Sequence, residues 1–308
     1  MSRGRARAAA SPAVRIAVLG AGRWGRHFVR LGRDHPGLEL VGVVDPDPRA
    51  RERARRIAPD ALVVARPEDG ALERAEAVVV CTPSGGHEEH AAGVLAGGRH
   101  ALVEKPMALS ARGARRLVDT ARAGGLTLAP GHQLVHHPAF CALRGAVAGG
   151  ALGRIQSVET ARFGPVDLAR ELGVVWSFGP HDVALASALI GSGLRCAGAR
   201  LRATEGGLPA AVEIRLEGPG GIPVTISLAA GERRVRRFAV RGERGRAIFD
   251  DAVAGGRVWI EETDGAARAV LHTPREPLAR ELEAFCAAVR GAPLEVDGDH
   301  GARVVALL

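Results

Sequence analysis

Lys105 is the single lysine of the chain; the other 41 of its 42 basic residues are arginines. A guanidinium keeps its proton at any workable pH, whereas a desolvated ammonium gives one up near neutrality. A lone lysine therefore points to a task that needs a transferable proton or a compact cationic head, with chance retention in an Arg-, Ala- and Gly-rich sequence as the bland alternative. It stands in Val103-Glu104-Lys105-Pro106, directly after an apolar run. Tyr is absent from all 308 residues. That excludes every mechanism with a phenol as acid or base, including one built on the Tyr-x-x-x-Lys pair of short-chain dehydrogenases.

A second group of residues could hold an anion. Gly20-Ala21-Gly22-Arg23-Trp24-Gly25 is a G-x-G-x-x-G loop between a predicted strand and a predicted helix. Its glycines permit a tight turn and close backbone approach, and the helix N-terminus offers free N–H groups to a pyrophosphate. Asp45 closes the next predicted strand about 20 residues on, where a carboxylate accepts from a ribose diol and repels a 2′-phosphate. This favours NAD, while Arg49 and Arg51 leave NADP open. Thr82 and Pro83 follow the apolar run Val78-Val79-Val80-Cys81. Carboxyl ends of parallel strands form the ligand crevice, so both are expected near the cofactor. His87 and His90 have an i, i+3 spacing that can bind metal. Without a third ligand nearby, a surface or cofactor-edge position is the better reading, and no metal is expected.

Such residues need a scaffold that gathers strand ends. In the first half, strands at Val14–Leu19, Leu38–Val44, Ala77–Cys81, His100–Val103 and Leu126–Ala129 alternate with helices at Trp24–Arg33, Pro48–Ile57, Glu88–Ala96 and Ser110–Ala123. That alternation is the pattern of parallel βαβ units. After a helix at Pro138–Ala148 come strand-like runs at Ile155–Phe163, Ala210–Leu216, Val224–Ala229, Val235–Val240 and Val258–Ile260, joined by Gly-rich turns. Helices at Val183–Ile190 and Leu278–Val289 are expected to cover that second sheet. The predicted class is α/β: a Rossmann doubly wound parallel sheet over residues 13–130, then an α+β domain with an open, largely antiparallel sheet over 131–308. The second domain is expected to bind substrate and to oligomerise. Residues 1–12, with Arg3, Arg5 and Arg7, read as a disordered basic leader, and Ala302–Leu308 as a helix that begins and stops, as in a chain cut short.

Composition bounds the partners. With 46% hydrophobic and 25% charged residues the chain is an ordinary globular one. Arg and Gly interrupt every apolar run, so no membrane span is expected. Cys81, Cys141, Cys196 and Cys286 form no C-x-x-C pair, which argues against a zinc site or a disulfide framework and for a reducing cytoplasm. A net charge of +8 calls for an anionic partner. The arginines are spread over the chain, aromatics are only 3%, and no DNA- or RNA-binding motif is present, so nucleic acid and membrane are set aside for a small molecule.

The GAGRWG loop, Asp45, the Cys81-Thr82-Pro83 turn with His87 five residues after Thr82, EKP at 104–106, GHQLVHHP at 131–138 and WSFGPHD at 176–182 resemble the Gfo/Idh/MocA oxidoreductases. The resemblance covers nearly the whole chain. It implies NAD(P)-dependent hydride transfer at one carbinol carbon of a sugar, cyclitol or nucleotide-linked sugar. By that likeness the pyrophosphate lies on residues 20–25, the nicotinamide near Thr82, His87 and Glu104, and the substrate between Lys105 and His181. Lys105 would contact both the nicotinamide and the substrate and bind the reacting oxygen, and His181 exchange its proton, although either could be the base. The segments around His132 and Trp176 are similar to the branch that acts on nucleotide-linked amino sugars, which points to both as substrate contacts; each reads equally well as packing. Many members carry Asp four residues before the histidine, where this chain has Ser177. That departure keeps open a non-catalytic NAD- or sugar-binding sensor, and a redox-neutral glycosidase that retains NAD is a further alternative. Asp182 is set aside as a substitute because one residue further along a helix it faces elsewhere. By fold analogy a homo-dimer or homo-tetramer is expected.

Overall fold

The computed structural model describes residues 12–308. The expected leader lies outside them except for Pro12. Among the described residues the first half forms β1 (Val14–Leu19), α1 (Gly25–Asp34), β2 (Leu38–Val44), α2 (Pro48–Ile57), β3 (Leu62–Val64), β4 (Ala77–Val80), α3 (His87–Ala96), β5 (His100–Glu104), α4 (Ala111–Ala123) and β6 (Leu128–Gly131). The six strands are parallel, in the order β3-β2-β1-β4-β5-β6. Helices cover both faces, which is why these strands are apolar without alternation. Ile16 and Val18 enter one core with Phe28 and Val29 of α1, while Ala17 and Leu19 enter the other with Val94 and Leu117. Strand order reverses between β1 and β4, and the carboxyl ends of strands at such a switch point are where doubly wound sheets take their ligands.

The second half forms α5 (Pro138–Ala148), β7 (Ile155–Gly164), α6 (Gly173–Ile190), β8 (Arg195–Glu205), β9 (Leu208–Glu217), β10 (Pro223–Ala230), β11 (Val235–Gly242), β12 (Gly245–Asp250), β13 (Arg257–Glu262), β14 (Ala267–Ala269), α7 (Pro277–Val289) and α8 (Gly298–Ala306). Its sheet runs β14-β13-β12-β11-β7-β10-β9-β8. Only the neighbours β7 and β10 are parallel. Val158, Ile214, Ile226, Phe238 and Phe249 from the sheet pack with Phe140 and Leu143 of α5 and with Val183 and Leu185 of α6.

The fold class is as predicted; particular elements differ. α6 starts at Gly173, not Val183, and runs through Gly179 and Pro180, both buried. Read alone, those two residues signal a break. Packing overrides it: a Cβ on Gly179 would stand 2.8 Å from Leu308 Cδ2, so the helix lies tight against the chain end. α7 covers the first sheet rather than the second, with Leu278, Leu282 and Phe285 in the core of β1 and β2. Its apolar stripe tells that it is buried, not against what. β3, β8, β12 and β14 were not predicted. β8 is exposed along almost all its length and so carries no period-two signal. α8 bridges the halves, Ala302 and Val305 joining the first core and Val304 the second. Among the described residues no helix is long and apolar enough to cross a membrane.

Candidate active site

Each central strand of the first sheet delivers one piece of the site at its carboxyl end. Gly20 follows β1 with φ +93°, and a Cβ there would lie 2.6 Å from the Cys81 carbonyl oxygen, so the turn accepts only glycine. A Cβ on Gly25 would fall 1.8 Å from the Gly20 oxygen. Gly22 differs, since a Cβ there would meet no protein atom within 4 Å. Its bare backbone faces open space and leaves room for a ligand to approach. Trp24 caps α1 without a side-chain hydrogen bond, and the first turn holds no acidic residue. Arg26 N and His27 N turn back to the Gly22 and Trp24 carbonyls at 3.2 and 2.9 Å, and no carboxylate of the first turn compensates the positive dipole end. Asp45 is buried at the end of β2, where Oδ2 accepts from Ala21 N at 2.7 Å and Oδ1 from Asp47 N at 2.8 Å. Arg51 is spent on the backbone, donating to the Asp45 and Pro46 carbonyls at 2.8 Å each. A glycine cradle, an open helix end and a carboxylate one strand over fit a dinucleotide, with Gly20 to Gly25 for its pyrophosphate and Asp45 for a ribose diol.

Behind the cradle, side chains tie the strand ends together. Glu104, buried at the end of β5, accepts from Trp24 Nε1 and, through Oε2, from Lys105 N at 3.1 Å. Burial pushes its carboxyl above the usual range. Thr82 Oγ1 lies 3.0 Å from His90 Nδ1 at the mouth of β4, with exposed Pro83 next in the chain. His87, expected at the cofactor, is only 2% exposed. Its Nδ1 is 2.8 Å from the Pro106 oxygen and its Nε2 2.7 Å from the Thr82 oxygen. The ring clamps two turns and reaches the crevice only through them.

The candidate reactive groups meet between the ends of β5 and β6 and helix α6. Glu104 pairs with Gly131 across β5 and β6, so Lys105 and His132 leave adjacent strands side by side. Half-buried Lys105 crosses to α6 and donates from Nζ to the Ser177 carbonyl at 3.1 Å. The backbone, not the serine hydroxyl, receives it. Pro180 has no N–H, so the Trp176 carbonyl one residue earlier lacks its helical donor. Burial lowers the Lys105 pKa, Arg162, Arg23 and Arg236 act in the same direction, and Glu104 opposes them. His181 is half-buried, with Nδ1 enclosed and unpartnered. Burial first, then Lys105, Arg162, His132 and Arg236, hold its imidazole well below the usual range, which keeps it neutral at physiological pH. His132, expected against substrate, is only 2% exposed and meets His300 ring to ring. Half-buried Trp176 packs on the first core.

Sequence reading missed the charged floor of this junction. Arg162 of β7 donates from Nε to Asp182 Oδ2 at 2.6 Å and from Nη2 to Oδ1 at 3.4 Å, with both residues buried. Asp182 is thus committed to Arg162. Arg236 donates to Asp251 at 3.4 Å. A signal was present: Val158, Thr160 and Arg162 share the buried face of β7 at period two, and a charge in such a register calls for a partner. Glu281 of α7, buried near Glu104 with neither oxygen partnered, had no local signal.

A doubly wound parallel sheet with a glycine cradle, followed by a second, largely antiparallel sheet, defines an α/β dinucleotide-binding protein. The chain belongs to the Gfo/Idh/MocA oxidoreductase family with its NAD-binding Rossmann fold, which matches residues 14–132. It is 31% identical over 271 residues to dTDP-3,4-didehydro-2,6-dideoxy-alpha-D-glucose 3-reductase of Streptomyces violaceoruber, covering 82% of this chain and 79% of that one. The solved UDP-N-acetylglucosamine 3-dehydrogenase GnnA of Acidithiobacillus ferrooxidans superposes with a TM-score of 0.83 at 26% identity, covering 94% of each chain. The 3-ketoreductase KijD10 of Actinomadura kijaniata, solved with NADP and TDP-benzene, gives a TM-score of 0.86 at 22% identity over 96% of this chain and 95% of that one, a likeness of fold.

Proposed function

We propose that the protein moves a hydride between a nicotinamide coenzyme and carbon 3 of a nucleotide-linked sugar, with NAD as the preferred coenzyme. The observation that carries this reading is Lys105 Nζ, held at the Ser177 carbonyl at the junction of the two sheets beside His181. Similarity to a 3-reductase and a 3-dehydrogenase of nucleotide-linked sugars supports the substrate class and the carbon. Asp45 supports NAD, because its buried carboxylate would meet a 2′-phosphate as a like charge.

When bound, the coenzyme supplies the hydride acceptor or donor at its nicotinamide. Gly20 to Gly25 and the start of α1 bind its diphosphate, and Asp45 accepts from the ribose. Glu104 fixes Trp24 and the Lys105 backbone, so the lysine leaves a braced strand end. Lys105 turns its ammonium to the reacting oxygen and stabilises negative charge as it develops there. His181, neutral at its depressed pKa, takes the hydroxyl proton in oxidation and returns it in reduction. Ser177 contributes its carbonyl, which orients the amine without neutralising it.

The test is incubation of the pure protein with NAD and, separately, UDP-N-acetylglucosamine, UDP-glucose and dTDP-glucose, following reduced-nicotinamide absorbance and the sugar products. Reduced coenzyme appearing in step with a 3-keto sugar is expected. Binding without turnover of any of the three, or free sugar without net reduced coenzyme, overturns the reading in favour of a sensor or a redox-neutral glycosidase respectively.

A further inference from the structure

Arg233, Arg234 and Arg236 lie where β10 turns into β11. β7 ends at Gly164, where a Cβ would stand 3.3 Å from Phe178 Cζ, so α6 rests on that strand end one residue after Ser177, whose carbonyl accepts from Lys105 Nζ. The Gly164 carbonyl accepts from Gly231 N at 2.8 Å, which sets the turn between β10 and β11 beside that contact. Past the turn, Arg236 stands opposite Arg162 in the strand register. Side chains alternate along a strand, so Arg236 shares the helix-covered side of the sheet with Phe238 and Val240, while Arg237 takes the other side, 5.9 Å over the Trp259 ring. Arg162 is tied to Asp182, the residue after His181. Arg236 is thus reached from Lys105 and from His181 through direct contacts and strand register.

The two facing arginines differ in what they hold. Arg162 is buried and makes two bonds to Asp182. Arg236 makes one, to Asp251 at 3.4 Å, and that carboxylate also has Arg162 and His137 at 3.9 Å each. A guanidinium presents several N–H donors in a planar fork, and those left on Arg236 meet no other acceptor among the described residues. Its side chain is 33% exposed, so a ligand can reach them. Arg233 and Arg234 are exposed on the turn and form no ion pair among the described residues; Glu232, exposed beside them, pairs with neither. Burial chiefly, and then Arg236 among the neighbouring charges, lowers the proton affinity of both Lys105 and His181, in keeping with a guanidinium close to each.

We propose that Arg236, with Arg233 and Arg234 of the turn before it, binds the diphosphate of the nucleotide-linked sugar. This rests on the catalytic reading above. The diphosphate is carried on carbon 1, separated from carbon 3 only by carbon 2, so a sugar whose reacting oxygen is held at Lys105 and His181 keeps its anion within an arginine's reach of the same place. Phosphate oxygens match the guanidinium fork of Arg236, and two exposed cations on the turn offset the remaining charge without being buried. The subsite selects a sugar bearing a diphosphate over a free sugar or cyclitol, which has nothing to place there.

Calorimetric titration of the full-length, NAD-saturated protein with UDP tests the subsite without turnover, since the coenzyme keeps UDP out of the cradle at residues 20–25. Arg236→Gln and the double variant Arg233→Gln/Arg234→Gln are each expected to bind UDP about tenfold or more weaker than wild type, and Arg237→Gln, on the far side of the sheet, within about twofold of it. In turnover with NAD, KM for UDP-N-acetylglucosamine is expected to rise by a like factor in the first two, with the smaller change in kcat. Wild-type UDP affinity in both of them, no UDP binding by wild type, or an equal loss in Arg237→Gln overturns the subsite. Should Arg236→Gln fail to fold, the double variant, altered only on the exposed turn, decides. UDP binding that depends on these arginines in a protein that makes no reduced coenzyme would keep the subsite and defeat the hydride-transfer reading instead.

Discussion

Ser177 stands where a carboxylate would compensate the Lys105 charge, and it offers a backbone carbonyl at 3.1 Å instead. A neutral partner does less to stabilise the ammonium than a carboxylate does, so Lys105 keeps the lowered proton affinity that its burial imposes. Ser177→Asp is expected to raise that affinity, because an opposite charge favours the charged form. The limb of the kcat/KM–pH profile that reports Lys105 then moves to higher pH; a profile unmoved in Ser177→Asp contradicts the assigned neighbourhood. On the proposed reading, coenzyme choice likewise rests on one side chain, Asp45. Asp45→Ser removes the repulsion toward a 2′-phosphate, and the NADP/NAD ratio of kcat/KM is expected to rise about tenfold or more. Steady-state kinetics with both coenzymes checks it, and an unchanged ratio moves the discrimination elsewhere.

At the scale of elements, the glycine loop separates folding from binding. Gly25 is glycine because a Cβ would strike the Gly20 oxygen at 1.8 Å, whereas a Cβ on Gly22 meets nothing within 4 Å. Gly22→Ala is therefore expected to fold within about 0.5 kcal/mol of wild type and to bind NAD about tenfold or more weaker. Gly25→Ala is expected to lose several kcal/mol of stability. Urea unfolding and NAD titration of both variants check this, and tight NAD binding by Gly22→Ala would contradict it. The same loop shows what was legible in the sequence. Strand ends, the Gly cradle, Asp45 and the EKP turn were readable because each is local: an apolar run, a turn and a polar residue within a few positions. The length of α6 was not, since Gly179 and Pro180 are helical only by virtue of what packs on them. Nor were Arg162 with Asp182, Lys105 with the Ser177 carbonyl, or His132 with His300, contacts between separate elements that no spacing encodes. The buried role of His87 also escaped, because a histidine at a helix start reads alike whether it faces ligand or carbonyls.

At the scale of the whole molecule, four histidines, His132, His136, His181 and His300, are held neutral where the two sheets and α8 meet, chiefly by burial. Below pH 6.5 the unfolded chain binds a proton at each such site that the native protein refuses. Stability is therefore fully present above pH 6.5 and falls as pH drops toward 4, where His136 and His300 protonate in the native state too. For His300 alone the shift from 6.5 to about 4 corresponds to roughly 3 kcal/mol. A melting temperature that falls through this window, less steeply in His300→Gln, is expected from calorimetry across pH. A melting temperature flat from neutrality to pH 4 would contradict the burial of these rings.

The most direct measurement compares Lys105→Ala with wild type in one experiment: NAD affinity from tryptophan fluorescence, then turnover with a nucleotide-linked sugar that wild type oxidises. The proposed function puts Lys105 at the reacting oxygen and outside the coenzyme's phosphate cradle. The variant is therefore expected to bind NAD within about threefold of wild type and to lose roughly 10²-fold or more in kcat. Wild-type turnover in Lys105→Ala would contradict the role given to the only lysine in the chain.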